Sequence, residues 1–238
     1  MKMCDDMEKG KLYGIGIGPG DTDLITIKAS KILKKVNVIC SPRSGAEKES
    51  IALSIAKPIL EEREDYNKLM VVEPIFPMTE DKERLEKHWV EASALIADYL
   101  NRGKDVAFIT LGDPSIFSTY SYVHKILSDD YETELIPGIT SFTACASSIN
   151  KPLVEKNEIL TIVPKIDERL NSILEYSDSI VLMKTSRNTE ELEDIINSKD
   201  GEKEITSVEN ATQKNEKIVD GFSKDKPYLS TTIVKFKK

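Results

Sequence analysis

The stretch that decides the fold is Lys11–Leu24, "KLYGIGIGPGDTDL", in which glycine occupies four alternating positions. Its first half is rich in residues that favour β-strands, and the segment that follows, "DLITIKASKILKKVN", spaces its apolar residues as a helix does. A strand that runs through a glycine-rich turn into a helix is a typical opening unit of an α/β fold. We therefore predict an α/β protein, in which the role of the glycines has to be explained.

The glycine-rich turn does not carry a phosphate-binding fingerprint. The dinucleotide pattern G-x-G-x-x-G lacks its third glycine in both possible registers, where Pro19 or Asp21 stands instead. Asp21 and Asp23 would also place two carboxylates where a pyrophosphate binds, and there is no Walker sequence. Two interpretations stay open: a tight turn in which Gly18 and Gly20 adopt backbone angles closed to other residues, or a bare backbone that a flat ligand can approach.

The composition is that of an ordinary globular protein, with 238 residues, 39% of them hydrophobic and 31% charged. The net charge of −8 argues against a nucleic-acid-binding protein, which needs a basic surface. The charged start of the chain and the lack of a long apolar run predict a cytoplasmic protein with no membrane partner. The three cysteines are far apart and there are only two histidines, so we expect no metal site.

Strand and helix patterns alternate in the first part of the chain. Further predicted strands are "VNVIC", "KLMVVEPIF", "KDVAFITLGD" and "ETELIPG". The predicted helices between them are "SIALSIAKPIL", ended by Pro58 and Leu60, then "KERLEKHWVEASALIADYLNRG" and "SIFSTYSYVHKIL". This order predicts an N-terminal α/β domain, residues 1–137, with a five-stranded, mostly parallel, doubly wound sheet.

The pattern changes near residue 139. After a helix at "SFTACASSI", several strand patterns follow one another, with one clear helix at "NTEELEDIIN". Strands without intervening helices indicate an antiparallel or mixed sheet. We therefore predict a second, C-terminal α/β domain, residues 138–238, with a mixed sheet.

Two further loops follow strands, at the edge where open α/β sheets bind ligands. In "TLGDPSIFSTY", Gly112 permits close backbone approach and Asp113 can accept hydrogen bonds from a ligand. The alternative is that Asp113 caps a helix whose first residue is Pro114. In "IPGITSFTACAS", Thr140 and Ser141 stand at a helix start, either as caps or as hydrogen-bond donors to a ligand.

The three loops together resemble those of the tetrapyrrole (corrin/porphyrin) methylases, a family of S-adenosylmethionine-dependent enzymes. The family's landmarks are a G-x-G-P-G-D loop, a G-D-P loop and a P-G-[IV]-[ST]-[SA] loop. Here they are Gly16–Asp21, Gly112–Pro114 and Pro137–Ser141, in the family's order over nearly the whole chain. The resemblance implies two dissimilar α/β domains with the cofactor in the cleft between them, usually in a homodimer.

The resemblance also implies which residues contact S-adenosylmethionine and its product S-adenosylhomocysteine. The residues implied to bind this cofactor are Gly112, Asp113, Ile116, Ser118, Thr119, Thr140, Ser141, Met183 and Ala211. The resemblance implies that the contacts at Met183 and Ala211 are made by the backbone. The Pro19–Gly20 segment of the first loop is implied to border the tetrapyrrole substrate.

Within the family, "EPIFPMTED" is similar to a segment of the enzymes that methylate carbon 20 of precorrin-2 or cobalt-factor II in cobalamin biosynthesis. The chain departs from that group at Asn210, where arginine is more frequent, but a backbone contact at Ala211 does not need that side chain. The alternatives are a methylase for another ring position, a diphthine-type methylase, or a non-catalytic module that binds a tetrapyrrole or an adenosyl nucleotide. An NAD-dependent oxidoreductase is disfavoured by the failed glycine fingerprint.

Methyl transfer from a sulfonium needs orientation of the two reactants and no activated nucleophile, so we assign no catalytic residue. The acceptor of the ring proton has four candidates, His88, His124, Tyr120 and Glu73, none of which the sequence favours. The substrate's carboxylates call for basic side chains, for which Arg43 in "SPRSG" is our candidate. The alternative is that Arg43 is a solvated loop residue. We favour a substrate that already contains cobalt.

Overall fold

The computed structural model describes residues 8–45, 47–183, 189–223 and 228–237. The chain forms two compact units, Met1–Ile139 and Thr140–Lys238. The first contains a five-stranded parallel sheet and the second a five-stranded mixed sheet, which confirms the predicted fold class. Among the described residues, no helix is long and apolar enough to cross a membrane.

The strands of the first unit lie side by side in the order β3-β2-β4-β1-β5. They are β1 Leu12–Gly16, β2 Val38–Cys40, β3 Met70–Val72, β4 Val106–Thr110 and β5 Thr133–Ile136. The helices are α1 Ile27–Leu33, α2 Ile51–Glu61, α3 Lys82–Asn101 and α4 Tyr120–Leu127, with short 3-10 helices at Thr22–Leu24 and Tyr66–Lys68. Each pair of neighbouring strands is parallel, so their carboxyl ends share one edge.

Helices cover both faces of this sheet because the apolar side chains of the strands alternate. Ile15 and Ile109 pack in one core cluster with residues of α1 and α2. Leu12 and Phe108 pack in a second cluster with residues of α3 and α4. Strands buried on both faces are typical of parallel sheets, and the doubly wound arrangement is confirmed.

Two predicted helices of the first unit have different bounds in the structure. The helix expected from Asp23 is divided: Asp21 Oδ1 accepts a hydrogen bond from Asp23 N (2.9 Å) and caps a 3-10 helix, and α1 starts only after Thr26. Thr26 caps α1 because its Oγ1 accepts from Ala29 N (3.2 Å). Helix α2 runs through Pro58, where it was expected to end, and ends at Glu61.

The second unit has the strand order β6-β7-β10-β8-β9. These strands are β6 Leu160–Val163, β7 Ser179–Met183, β8 Lys203–Glu209, β9 Lys217–Asp220 and β10 Ser230–Phe236. Strands β6 and β7 are parallel and the other neighbours antiparallel, as predicted for a mixed sheet. The helices are α5 Ser141–Ser148, α6 Leu170–Tyr176 and α7 Thr189–Ser198. Helix α6, which buries Leu170 and Leu174, was not predicted.

Gly14 lies in the middle of β1 because an aromatic ring from α4 occupies the place of its side chain. A Cβ atom added to Gly14 would lie 2.4 Å from Cε1 of Tyr120. The Tyr120 side chain is almost fully buried and packs against Phe108 with 5.5 Å between the ring centroids. The missing side chain of Gly14 therefore lets α4 pack directly on β1.

We expect Gly14→Ala to lower the free energy of unfolding by about 1–3 kcal/mol, because the added methyl group overpacks the space held by Tyr120. Urea unfolding followed by circular dichroism measures this loss. Gly45→Ala is the matched control, since a Cβ there meets no atom within 4 Å, and its effect should stay within about 0.5 kcal/mol. Equal losses in the two variants would contradict the packing argument.

Candidate functional site

Two glycine loops are joined by backbone hydrogen bonds at the carboxyl edge of the first sheet. Gly112 N donates to Gly18 O (2.8 Å), and Gly18 N donates to Gly112 O (3.3 Å). Gly18 has φ +79 and Gly112 φ +67, the left-handed region that favours glycine. The tight-turn interpretation gave such angles to Gly18 and Gly20; Gly18 has a positive φ and Gly20 does not.

A third loop packs against these two so closely that only glycine fits. A Cβ atom on Gly138 would lie 2.2 Å from Gly112 O, and one on Gly16 would lie 2.5 Å from the same oxygen. We call Gly16, Gly112 and Gly138 the glycine junction. It brings together the ends of β1, β4 and β5, and with them the three sequence motifs.

The Asp113 carboxylate stabilises this junction by accepting hydrogen bonds. Its Oδ2 accepts from Gly138 N (2.9 Å), and its Oδ1 accepts from Ser115 N (2.8 Å) and Ser115 Oγ (2.5 Å). The alternative that Asp113 caps a helix beginning at Pro114 is wrong, because α4 begins at Tyr120. A carboxylate offers roughly four acceptor positions, so three bonds within the protein leave room for one from a ligand.

The segment between Asp113 and α4 is a loop in which the side chains divide into two groups. Ser118 is buried, where its Oγ donates to Thr110 Oγ1 and accepts from Tyr120 N, both at 3.1 Å. Ile116 and Thr119 are partly exposed. Of the three, only these two therefore present side chains that a ligand can reach without breaking a bond within the loop.

Phe117 is the residue of this loop that the sequence did not single out. Its side chain is 53% exposed and its φ is +50, a value rare for a bulky residue. This angle explains why "SIFST" is not helical although its apolar spacing predicts a helix. No sequence signal marks a positive φ at a phenylalanine.

The candidates for the substrate side of the site lie in two places. Pro19 is buried and Gly20 half-buried, directly after the bridge between Gly18 and Gly112. Arg43 N donates to Pro74 O (3.0 Å), and Arg43 Nε lies 3.7 Å from Glu73 Oε1. Arg43 is thus held beside the "EPIFPMTED" segment with its guanidinium near a carboxylate, and it is not a fully solvated loop residue.

In the second unit, Thr140 caps α5. Its Oγ1 accepts from Thr143 N (3.4 Å), and Ser141 is the first residue of the helix. Helix α5 packs against β10, and Cys145 of α5 and Thr231 of β10 are both buried. Burial raises the pKa of the Cys145 thiol to about 12, as befits a core residue.

Met183 and Ala211 lie at one edge of the second sheet. Met183 ends β7 and pairs with Thr231 of β10, whereas Ala211 follows β8 on the other side of β10. Ala211 is flanked by two left-handed residues, Asn210 with φ +49 and Thr212 with φ +64. Asparagine tolerates this region better than most residues, which gives the departure from arginine at position 210 a backbone explanation.

The structure narrows the set of candidate proton acceptors. Tyr120 is unsuited, because its hydroxyl is buried without a hydrogen-bond partner and burial raises the pKa of the phenol far above its usual value. His88 Nδ1 lies 3.7 Å from a carboxylate oxygen of Glu91 on the same helix. His124 Nε2 lies 3.2 Å from Thr133 Oγ1. Both histidines therefore have partners within the fold.

The fold and its three loops are those of a known class of enzymes. Residues 11–226 match the family Tetrapyrrole (Corrin/Porphyrin) Methylases. The chain belongs to this family, which confirms the resemblance seen in the loops.

Two relatives are similar over most of the chain. The probable cobalt-precorrin-2 C(20)-methyltransferase of Methanocaldococcus jannaschii is 40% identical over 232 residues, which cover 94% of this chain and 96% of that protein. The cobalt-precorrin-2 C(20)-methyltransferase of Salmonella typhimurium is 34% identical over 177 residues, covering 74% of this chain and 73% of the relative.

Solved structures share the fold at lower identity. A cobalt precorrin-4 methyltransferase superposes with a TM-score of 0.73 at 22% identity, covering 95% of this chain and 94% of that one. The uroporphyrin-III C-methyl transferase of Thermus thermophilus, complexed with S-adenyl homocysteine, gives 0.64 at 19% identity, covering 95% and 97%. At these identities the comparison concerns the fold alone.

We expect Gly138→Ala to lower the free energy of unfolding by at least about 2 kcal/mol, because the added carbon meets backbone atoms that cannot rotate away. Urea unfolding measures it, with Gly45→Ala as the control. Gly16→Ala should have a similar effect. Since both substitutions push apart the same loops, the double variant should lose clearly less than the sum of the two losses. Additive losses would contradict a single shared junction.

Proposed function

We propose that this protein is an S-adenosylmethionine-dependent methyltransferase that methylates carbon 20 of precorrin-2 or cobalt-factor II. The observation that carries the proposal is the glycine junction, which assembles the three family loops at one ligand-binding edge. The two relatives named for this reaction support carbon 20 as the position. Their names also favour the substrate that contains cobalt.

The residues of the first unit fit a nucleoside better than a phosphate. Asp113 retains an acceptor position for a hydroxyl or amino group, and Ile116 offers a partly exposed apolar surface. Asp21 and Asp23 are exposed carboxylates that would repel a pyrophosphate. We therefore propose that this edge contributes to binding of S-adenosylmethionine through Gly112, Asp113, Ile116 and Thr119, while Ser118 holds the loop in place through its bonds to Thr110 and to Tyr120 N.

In the second unit we propose cofactor contacts from Thr140 and Ser141 and from the backbone at Met183 and Ala211. Ala211 supports this assignment, because flanking residues with positive φ hold its peptide groups in a fixed, non-repeating conformation. Such strained segments cluster at ligand sites. For the substrate we propose contacts from Pro19, Gly20 and Arg43, the last because a guanidinium group pairs well with carboxylates such as those of the ring.

The methyl transfer requires mainly that the two reactants be correctly oriented. S-adenosylmethionine supplies the methyl group from its sulfonium, and the attacking carbon of the ring is nucleophilic by conjugation. Holding two reactants in line is worth about 7–11 kcal/mol of the barrier. The rigid loops of the glycine junction serve this purpose, since they are held by backbone bonds and by Asp113.

Incubation of the protein with labelled S-adenosylmethionine and cobalt-factor II or precorrin-2 tests the proposed reaction. We expect the ring to gain one methyl group, which nuclear magnetic resonance locates at carbon 20. A methyl group at another carbon would indicate a different member of the family. S-adenosylhomocysteine binding without turnover on any ring would indicate a binding module.

We expect Asp113→Ala to weaken S-adenosylhomocysteine binding by about tenfold or more, because it removes a charged acceptor and releases the loop of Gly138. Isothermal titration calorimetry measures the affinity. Ser115→Ala is the control, since it removes one bond to Asp113 and keeps the carboxylate. Unchanged affinity in Asp113→Ala would show that the cofactor binds elsewhere.

We also propose that the protein is a cytoplasmic homodimer, as family members commonly are. Light scattering coupled to size-exclusion chromatography should then give about twice the chain mass of 26.7 kDa. A mass of one chain would contradict the dimer.

A further inference from the structure

Phe117 combines two unfavourable features at one residue. Its backbone is left-handed, with φ +50, although a bulky side chain disfavours that region. The residue is also 53% exposed, so its aromatic ring gains only part of the stabilisation that full burial would give. Neither feature stabilises the fold of the first unit.

The loop around Phe117 is nevertheless fixed on both sides. On one side, Ser115 donates two hydrogen bonds to Asp113, and Ile116 N donates to Asp113 O (3.2 Å). On the other side, Ser118 is buried and bonded to Thr110 and to Tyr120 N. The exposed ring of Phe117 therefore stands at a defined place, held by its neighbours.

This place is at the carboxyl end of β4, the edge at which the other two family loops also emerge. A tetrapyrrole has a flat, conjugated face with carboxylates on its rim, and an aromatic side chain is well suited to pack on such a face. Phe117 is exposed to solvent, which suits a large flat ligand that covers it. A nucleoside is smaller and is usually enclosed when bound.

We propose that Phe117 is a substrate-binding residue whose ring packs on the face of the tetrapyrrole and orients it for methyl transfer. This inference rests on the proposed function. The left-handed backbone is the means by which the loop presents the ring. Removal of the side chain should therefore weaken binding of the tetrapyrrole and leave cofactor affinity unchanged.

The test uses the full chain and two separate titrations, one with cobalt-factor II and one with S-adenosylhomocysteine. Phe117→Ala should bind cobalt-factor II about tenfold more weakly and S-adenosylhomocysteine within about threefold of the wild type. Phe117→Tyr should bind both as the wild type does. Tyr176→Ala, which removes an aromatic side chain that is 69% exposed in the second unit, should change neither affinity.

Phe117→Gly provides an independent readout, because glycine adopts positive φ without strain. We expect this variant to melt at a higher temperature than Phe117→Ala while binding the ring as weakly. A melting temperature no higher than that of Phe117→Ala would contradict the inference that the backbone at position 117 is strained.

Undiminished binding of cobalt-factor II by Phe117→Ala would overturn the assignment of Phe117 alone. A loss confined to S-adenosylhomocysteine would overturn it as well, in favour of a cofactor contact. If wild-type protein bound S-adenosylhomocysteine but no tetrapyrrole, the proposed function would fail, and with it this inference.

Discussion

The site in the first unit depends on backbone packed against backbone at the ends of three parallel strands. Where a parallel sheet ends, N–H and carbonyl groups lose their partners in the neighbouring strands and need others. Here the bridge between Gly18 and Gly112 and the carboxylate of Asp113 supply partners to three different loops. These loops are held together by the protein's own hydrogen bonds, and preorganised loops lose less entropy when a ligand binds.

Asp113 shows why a family motif can have two physical roles. The resemblance implies that Asp113 of G-D-P contacts a ligand, yet most of the acceptor positions of its carboxylate are used by Ser115 and Gly138. The carboxylate therefore holds the loops together and retains one acceptor position for a hydrogen bond from a ligand. An Asp113 variant could lose cofactor affinity because the ligand contact is gone or because the loops are destabilised. A melting curve recorded beside each titration distinguishes the two causes.

The sequence predicted the architecture well because hydrophobic periodicity encodes it. Alternation of strands and helices gave the parallel sheet, and runs of strands gave the mixed one. The errors concern local conformation. The apolar spacing around Phe117 is that of a helix, but the positive φ of Phe117 is not helical, so α4 begins only at Tyr120. Helix α6 was missed because its pattern is short.

The candidate site was predicted in part. The three loops were identified from their motifs, but the internal bonds of Ser118 depend on tertiary neighbours such as Thr110, about which a single sequence is silent. The ion pair between Arg43 and Glu73 also depends on tertiary neighbours. It forms only because the segments that follow β2 and β3 continue side by side after the strands end. Phe117 carries no motif of its own.

The neighbours of the glycines in β1 predict how this sequence can vary through evolution. Gly14 faces a side chain, Tyr120, so a larger residue at 14 can be accommodated if position 120 becomes smaller. Gly16 faces main-chain atoms of Gly112 and Gly138, which no change of side chain can remove. Among homologues, positions 14 and 120 should therefore change together, whereas position 16 should not change at all.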